Sequence, residues 1–129
     1  MVPHFDSLLF NKKSVKKFLT VSFDEGENIL DCLKKAMLDH GLKECRVEGL
    51  DGTIKSAKVN FFDGGKFGAS TIKNKPIMAA SGNFKVSGGD LWGSMNICTS
   101  EKKPLSGTFV TGFAGENLQL KVSFVEIPD

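Results

Sequence analysis

Arginine is almost missing from this chain: sixteen of the seventeen basic residues are lysine, and Arg46 stands alone. A nucleic-acid reader clusters its cations and uses the bidentate guanidinium on phosphate and guanine. Lysines scattered along a chain of net charge +2 point instead to a solvated surface, with weak or no direct DNA binding. Cysteine is scarce too. Cys32, Cys45 and Cys98 are odd in number, far apart and without a CxxC pair, which argues against a disulfide framework and a structural zinc site and for reduced, buried thiols. No apolar run approaches the roughly 18 residues of a membrane span, and Met1 to Phe10 lacks the basic start, apolar core and small-residue cleavage site of a leader. A cytoplasmic protein without membrane contact is expected. No phosphate-binding glycine–lysine loop and no GxGxxG run opens a helix, so no cofactor is expected either.

What is there fits one domain. A chain of 129 residues can bury one core and is short for two. Residues 1–14 show no usable period and read as an N-terminal arm, with the domain proper over residues 15–129. Lys12-Lys13-Ser14-Val15-Lys16-Lys17 is the one dense basic run; it reads as an exposed edge protected from pairing by lysines. Glu101-Lys102-Lys103-Pro104 reads as a charged turn.

From Val15 the apolar residues alternate, with Val15, Leu19, Val21 and Phe23 on one parity, as in a half-buried strand. Asp24-Glu25-Gly26-Glu27 has the form of a capping box and places the start of a helix there. Ile29, Leu30, Leu33, Ala36 and Met37 recur at helical spacing, and Gly41 supplies a left-handed stop with Leu42 as its apolar contact. Only strand signals follow, over 43–50, 53–62, 67–72, 77–84, 90–98, 105–111 and 118–127. Asp51-Gly52, Asp63-Gly64-Gly65 and Gly88-Gly89 punctuate them with turn chemistry. The expected fold class is α+β: a single domain with a mostly antiparallel, twisted sheet of seven or eight strands and one main helix packed on it.

The centre of that sheet is the hairpin over residues 77–98. Alternation puts Asp90, Trp92, Ser94 and Asn96 on one face and Leu91, Gly93, Met95 and Ile97 on the other. With the hairpin paired across Gly88-Gly89, Ser81 and Asn83 join the polar face. That face, with the lone Trp92, reads as a subunit interface or as a small pocket with an aromatic wall.

The order of motifs resembles a known family. A Gly-Glu-x-Ile-Leu helix opening (Gly26 to Leu30), Glu-Gly-x-x-Gly-x-Ile (Glu48 to Ile54), Phe-Asp-Gly (Phe62 to Gly64), Ser-Gly-Asn-Phe (Ser81 to Phe84), Gly107 and a terminal Leu-x-Val-x-Phe-x-Glu-Ile (Leu120 to Ile127) together resemble the plant and prokaryote conserved (PPC) domain, also called domain of unknown function 296. The resemblance implies a homotrimer that contacts other proteins, such as transcription factors. Plant members also carry an AT-hook, a Gly-Arg-Pro element absent from this chain. Bacterial members place metal-binding histidines at positions matching Asp90, Trp92 and Thr108, and no histidine stands there. The resemblance therefore implies a non-enzymatic, DNA-associated or transcription-related regulator acting through association. The alternative is a small-molecule-binding protein or enzyme with a cleft near Trp92, built from Ser81, Asn83, Asp90, Trp92, Ser94 and Thr108.

Overall fold

The computed structural model describes residues 15–63, 65–100 and 104–126. The expected arm over residues 1–14 and all but Pro104 of the charged turn lie outside them. Eight strands and one helix follow in the order β1 (Val15–Ser22), α1 (Ile29–Asp39), β2 (Glu44–Asp51), β3 (Thr53–Asp63), β4 (Lys66–Pro76), β5 (Ala79–Ser87), β6 (Asp90–Cys98), β7 (Leu105–Ala114) and β8 (Gln119–Glu126). The strands form one sheet in the order β1-β8-β2-β5-β6-β7-β3-β4, with every pairing antiparallel. This is the α+β architecture that one helical period among many strand periods requires.

The helix starts later than its capping signature suggests. Glu27 Oε1 does accept the Asp24 backbone N–H at 2.6 Å, the reciprocal arm of a capping box, but it closes a turn rather than a helix. Asn28 is the N-cap, its side chain accepting from the Asp31 N–H at 3.1 Å. Asn28 also bridges Phe113 in β7, and that extended pairing holds the preceding residues out of the helix. The far end is as expected. Gly41 takes φ +66°, its N–H bonds the Leu38 carbonyl and the Leu42 N–H bonds that of Met37, which together make a Schellman stop.

Apolar side chains on one side of the sheet meet the helix stripe Ile29, Leu33 and Met37, all buried. Val47, Phe84, Met95, Ile97, Phe109, Leu120 and Val122 form the body of this core. Phe84 and Phe109 meet edge to face with centroids 6.3 Å apart, a favoured aromatic geometry. Gly93 makes room for this pair, because a Cβ there would land on the Phe84 ring. The other side of the sheet has no element over it among the described residues, and it is where the polar side chains of β2, β5, β6 and β7 collect.

Candidate functional site on the open face of the sheet

Residues paired across antiparallel strands point to the same side, so the registers define rows over the open face. Arg46 of β2 lies between Ser123 of β8 and Asn83 of β5. Asn83 pairs with Ser94 of β6, Ser94 with Thr108 of β7, and Thr108 with Asn60 of β3. A neighbouring row sets Ser81 against Asn96 and Asn96 against Ser106, whose hydroxyl donates to Asn96 Oδ1 at 2.5 Å. The next row on the other side sets Glu44 against Lys85 and Lys85 against Trp92. Ser81, Asn83, Ser94 and Thr108 are thus neighbours: hairpin alternation implies the first three, and the β6–β7 pairing adds Thr108.

Asp90 and Trp92 go elsewhere. Asp90 is the first residue after the turn, opposite Ser87, and Trp92 is 60 % exposed. Both line a shallow depression against Leu30, Asp31 and Lys34 of α1, whereas Ser81, Asn83, Ser94 and Asn96 line a second one with Arg46. The six candidate residues therefore divide between two places.

The same registers test the positions matched to metal-binding histidines. Thr108 lies opposite Ser94, four residues along β6 from Asp90, which at ~3.3 Å per residue is about 13 Å. Asp90 and Thr108 do not converge on one point, and an indole supplies no ligand. Among the described residues no three His, Cys, Asp or Glu side chains gather to hold an ion. These residues do not fit a metal of the kind the resemblance implies.

Two features escape sequence reasoning. The first is a cluster tying three strands together: Glu48 Oε1 of β2 accepts from the Ser123 hydroxyl of β8 at 2.7 Å and meets Lys16 Nζ of β1 at 3.2 Å. The Ser123 hydrogen bond, then Lys16, hold the Glu48 carboxyl below its ordinary value. These partners are 75 and 32 positions from Glu48 in the chain, so only the β1-β8-β2 order brings them together. The second is the margin formed by β3 and β4. Phe62 and Phe67 pair at its tip with centroids 4.8 Å apart, exposed by 62 % and 87 %. Lys55, Lys58, Lys66, Lys73 and Lys75 share this hairpin with Asp63 as its one acid. These lysines are neighbours in the sequence already, and the hairpin keeps them together.

No family model matches the sequence, and no curated protein matches it. Solved structures do. A metal-containing protein from Archaeoglobus fulgidus superposes with a TM-score of 0.69 at 12% identity, over 86% of this chain and 81% of that one. A plant- and prokaryote-conserved (PPC) protein from Pyrococcus horikoshii gives 0.65 at 16% identity, over 88% and 80%. This chain has the PPC fold. A candidate DNA-binding protein from Bacteroides thetaiotaomicron shares it, with a TM-score of 0.63 at 18% identity over 88% and 83%. The resemblance noted from motif order thus agrees with the fold, and proteins described as DNA-binding are among those that carry it.

Cysteine chemistry contributes little. Burial pushes Cys45 up to about 11. Burial, then the hydrogen bond its thiol donates to Glu27 Oε2 at 3.4 Å, pushes Cys32 up to about 11 as well. Neither thiol is poised as a nucleophile at neutral pH. No helix is long and apolar enough to cross a membrane among the described residues.

Proposed function

We propose that this chain is a non-enzymatic, DNA-associated regulator that works mainly through association, as a cytoplasmic homotrimer that also contacts other proteins. The observation that carries this reading is the aromatic margin. Phe62 and Phe67 leave most of their rings in water, and among the described residues β4 has a strand neighbour on one side only. Burying a phenylalanine contributes roughly 1.5–3 kcal/mol, and aromatics gathered on a surface with polar surroundings are characteristic of protein interfaces. A ring of three copies covers three such margins at once in a closed assembly.

The DNA association is borrowed from fold neighbours such as the Bacteroides protein and rests here on the lysines of the β3–β4 hairpin. Lysine is a point charge that meets phosphate without reading bases. Direct duplex binding is therefore weak and without sequence preference, and specificity comes from partners. Light scattering coupled to size exclusion at micromolar concentration tests the assembly. Three subunits of 14.0 kDa are expected for the native chain and one for the double variant Phe62→Ser, Phe67→Ser. A native monomer, or a trimer indifferent to both substitutions, overturns the reading.

A further inference from the structure

The single arginine sits where a lysine would serve if solubility were the only demand. Arg46 is exposed on the open face, between Ser123 and Asn83. The carboxylate two residues along its strand is already engaged, since Glu48 is held by Ser123 and Lys16. Among the described residues Arg46 makes no ion pair within 4 Å, and its charge acts on Glu48 only after Ser123 and Lys16 do. Its five N–H donors form a planar fork that matches a carboxylate or phosphate with two parallel bonds.

The fork lies beside a depression of about 530 Å³, within the size range of small-molecule sites. Lys16, Arg46 and Lys85 line it with Glu44 as the one acid among the lining residues, and even with Lys16 paired to Glu48 its walls carry net positive charge. Asn83 adds a neutral hydrogen-bonding group, Ser123 being buried and already donating to Glu48, and Phe124 and Val125 supply an apolar wall. Cations on one wall and hydrocarbon on the other suit a ligand with an anionic head and an apolar body. A macromolecular polyanion would instead favour the lysine-rich hairpin, across the sheet from here.

We infer that this depression binds a small organic anion bearing a carboxylate or phosphate group, gripped by Arg46 with Asn83 beside it. Amide NMR titrations with sodium benzoate and with phenyl phosphate, against benzyl alcohol and sodium chloride at matched ionic strength, test it. Saturable shifts at Arg46, Asn83 and Ser123 with at least one of the two anions are expected, absent with benzyl alcohol and chloride; the tighter of the two names the head group. Arg46→Gln should weaken that binding at least tenfold, with Arg46→Lys in between because a point charge replaces the fork. Asn83→Asp, which sets a carboxylate beside the guanidinium, should also abolish binding in a folded protein. Equal binding by the Arg46→Gln and Asn83→Asp variants, equal binding of the alcohol, or chloride reproducing the shifts overturns the inference. A flat titration of the native chain overturns it as well.

Discussion

The β5–β6 and β3–β4 hairpins are made in the same way, from two strands and a glycine turn, yet they occupy opposite situations. β5 and β6 have strand neighbours on both sides, and their inward residues Phe84, Met95 and Ile97 are buried to within a few per cent. The β3–β4 pair has longer strands of 11 residues each, but β4 ends the sheet of the described residues and the tip presents Phe62 and Phe67 to solvent. Apolar content alone does not separate the two hairpins; position in the strand order does. A phenylalanine in the first is part of the core of one subunit, and in the second it is available to a neighbour.

Substitution should separate these roles most sharply. Phe84→Ala removes a ring that is 1 % exposed and packs on Phe109, and is expected to cost about 3–5 kcal/mol. Phe67→Ala, at a side chain 87 % exposed, should cost the isolated subunit no more than about 0.5 kcal/mol. Urea denaturation monitored by circular dichroism, at dilutions where the protein is monomeric, compares them. Similar losses from both would show that the margin is structural and that its rings are not held for association.

Charge offers a second separation, smaller in effect. The hairpin lysines lie on the margin, whereas the open face around Ser94 is polar, with Arg46 beside Asn83 as its one cation. The double change Lys58→Glu, Lys73→Glu should therefore reduce weak duplex binding by about tenfold, while Ser94→Ala leaves it unchanged, since each lysine withdrawn from a phosphate takes a counterion-release contribution with it. Labelled AT-rich and GC-rich duplexes titrated at low and near-physiological salt provide the measurement. Submicromolar binding to one duplex and not the other would show sequence reading that lysines on a margin cannot supply.

Alkaline pH probes the interior. Cys45 and Cys32 stand at about 11 in the folded chain against an ordinary 9.0. A thiol whose folded value is raised stabilises the fold while protonated, so that contribution is whole below pH 9 and declines as pH rises toward 11. Melting temperature should fall across this window, and Cys45→Ala, Cys32→Ser should flatten the fall. Thiol labelling at pH 7.5 should be slow at Cys45, which is 5 % exposed.

How much of this is legible in the sequence follows from the range of each interaction. The β5–β6 pairing can be read because Gly88-Gly89 fixes the register locally: Asn83 opposite Ser94 and Ser81 opposite Asn96 follow from the turn. The helix stop at Gly41 is local in the same sense. The start is not: the capping signal points to Asp24, and a long-range bridge from Asn28 to Phe113 overrides it and delays the helix to Ile29. Arg46 between Ser123 and Asn83, and Glu48 beside Lys16, depend on a strand order that no pattern within β1, β2 or β8 encodes. Parity along β6 puts Trp92 in line with Ser94, but the depression that it lines with α1 depends on where the helix docks.

The smallest effect expected compares the two margins of the sheet directly. At the β1 margin, Lys16 pairs with Glu48 across β8, and Ser123 of β8 donates to the same carboxylate. These partners, the Ser123 hydrogen bond foremost, hold Glu48 below its ordinary 4.5, so the unfolded chain takes up a proton before the folded one does. The stabilisation is therefore present above about pH 4.5 and is lost as pH falls through the lower folded value. Because the group is exposed, the loss is local. Protection of the β1 amides, taken relative to the intrinsic exchange rate at each pH, should fall on acidification toward pH 3, while β3 and β4, with no such carboxylate described between them, respond less. Glu48→Gln keeps the shape and removes the titration, so it should bring β1 to its acid-state protection already at pH 7 and abolish its further pH response. Unchanged exchange in β1 for that variant would mean that its backbone pairing with β8, and not the Lys16–Glu48–Ser123 cluster, holds this margin in place.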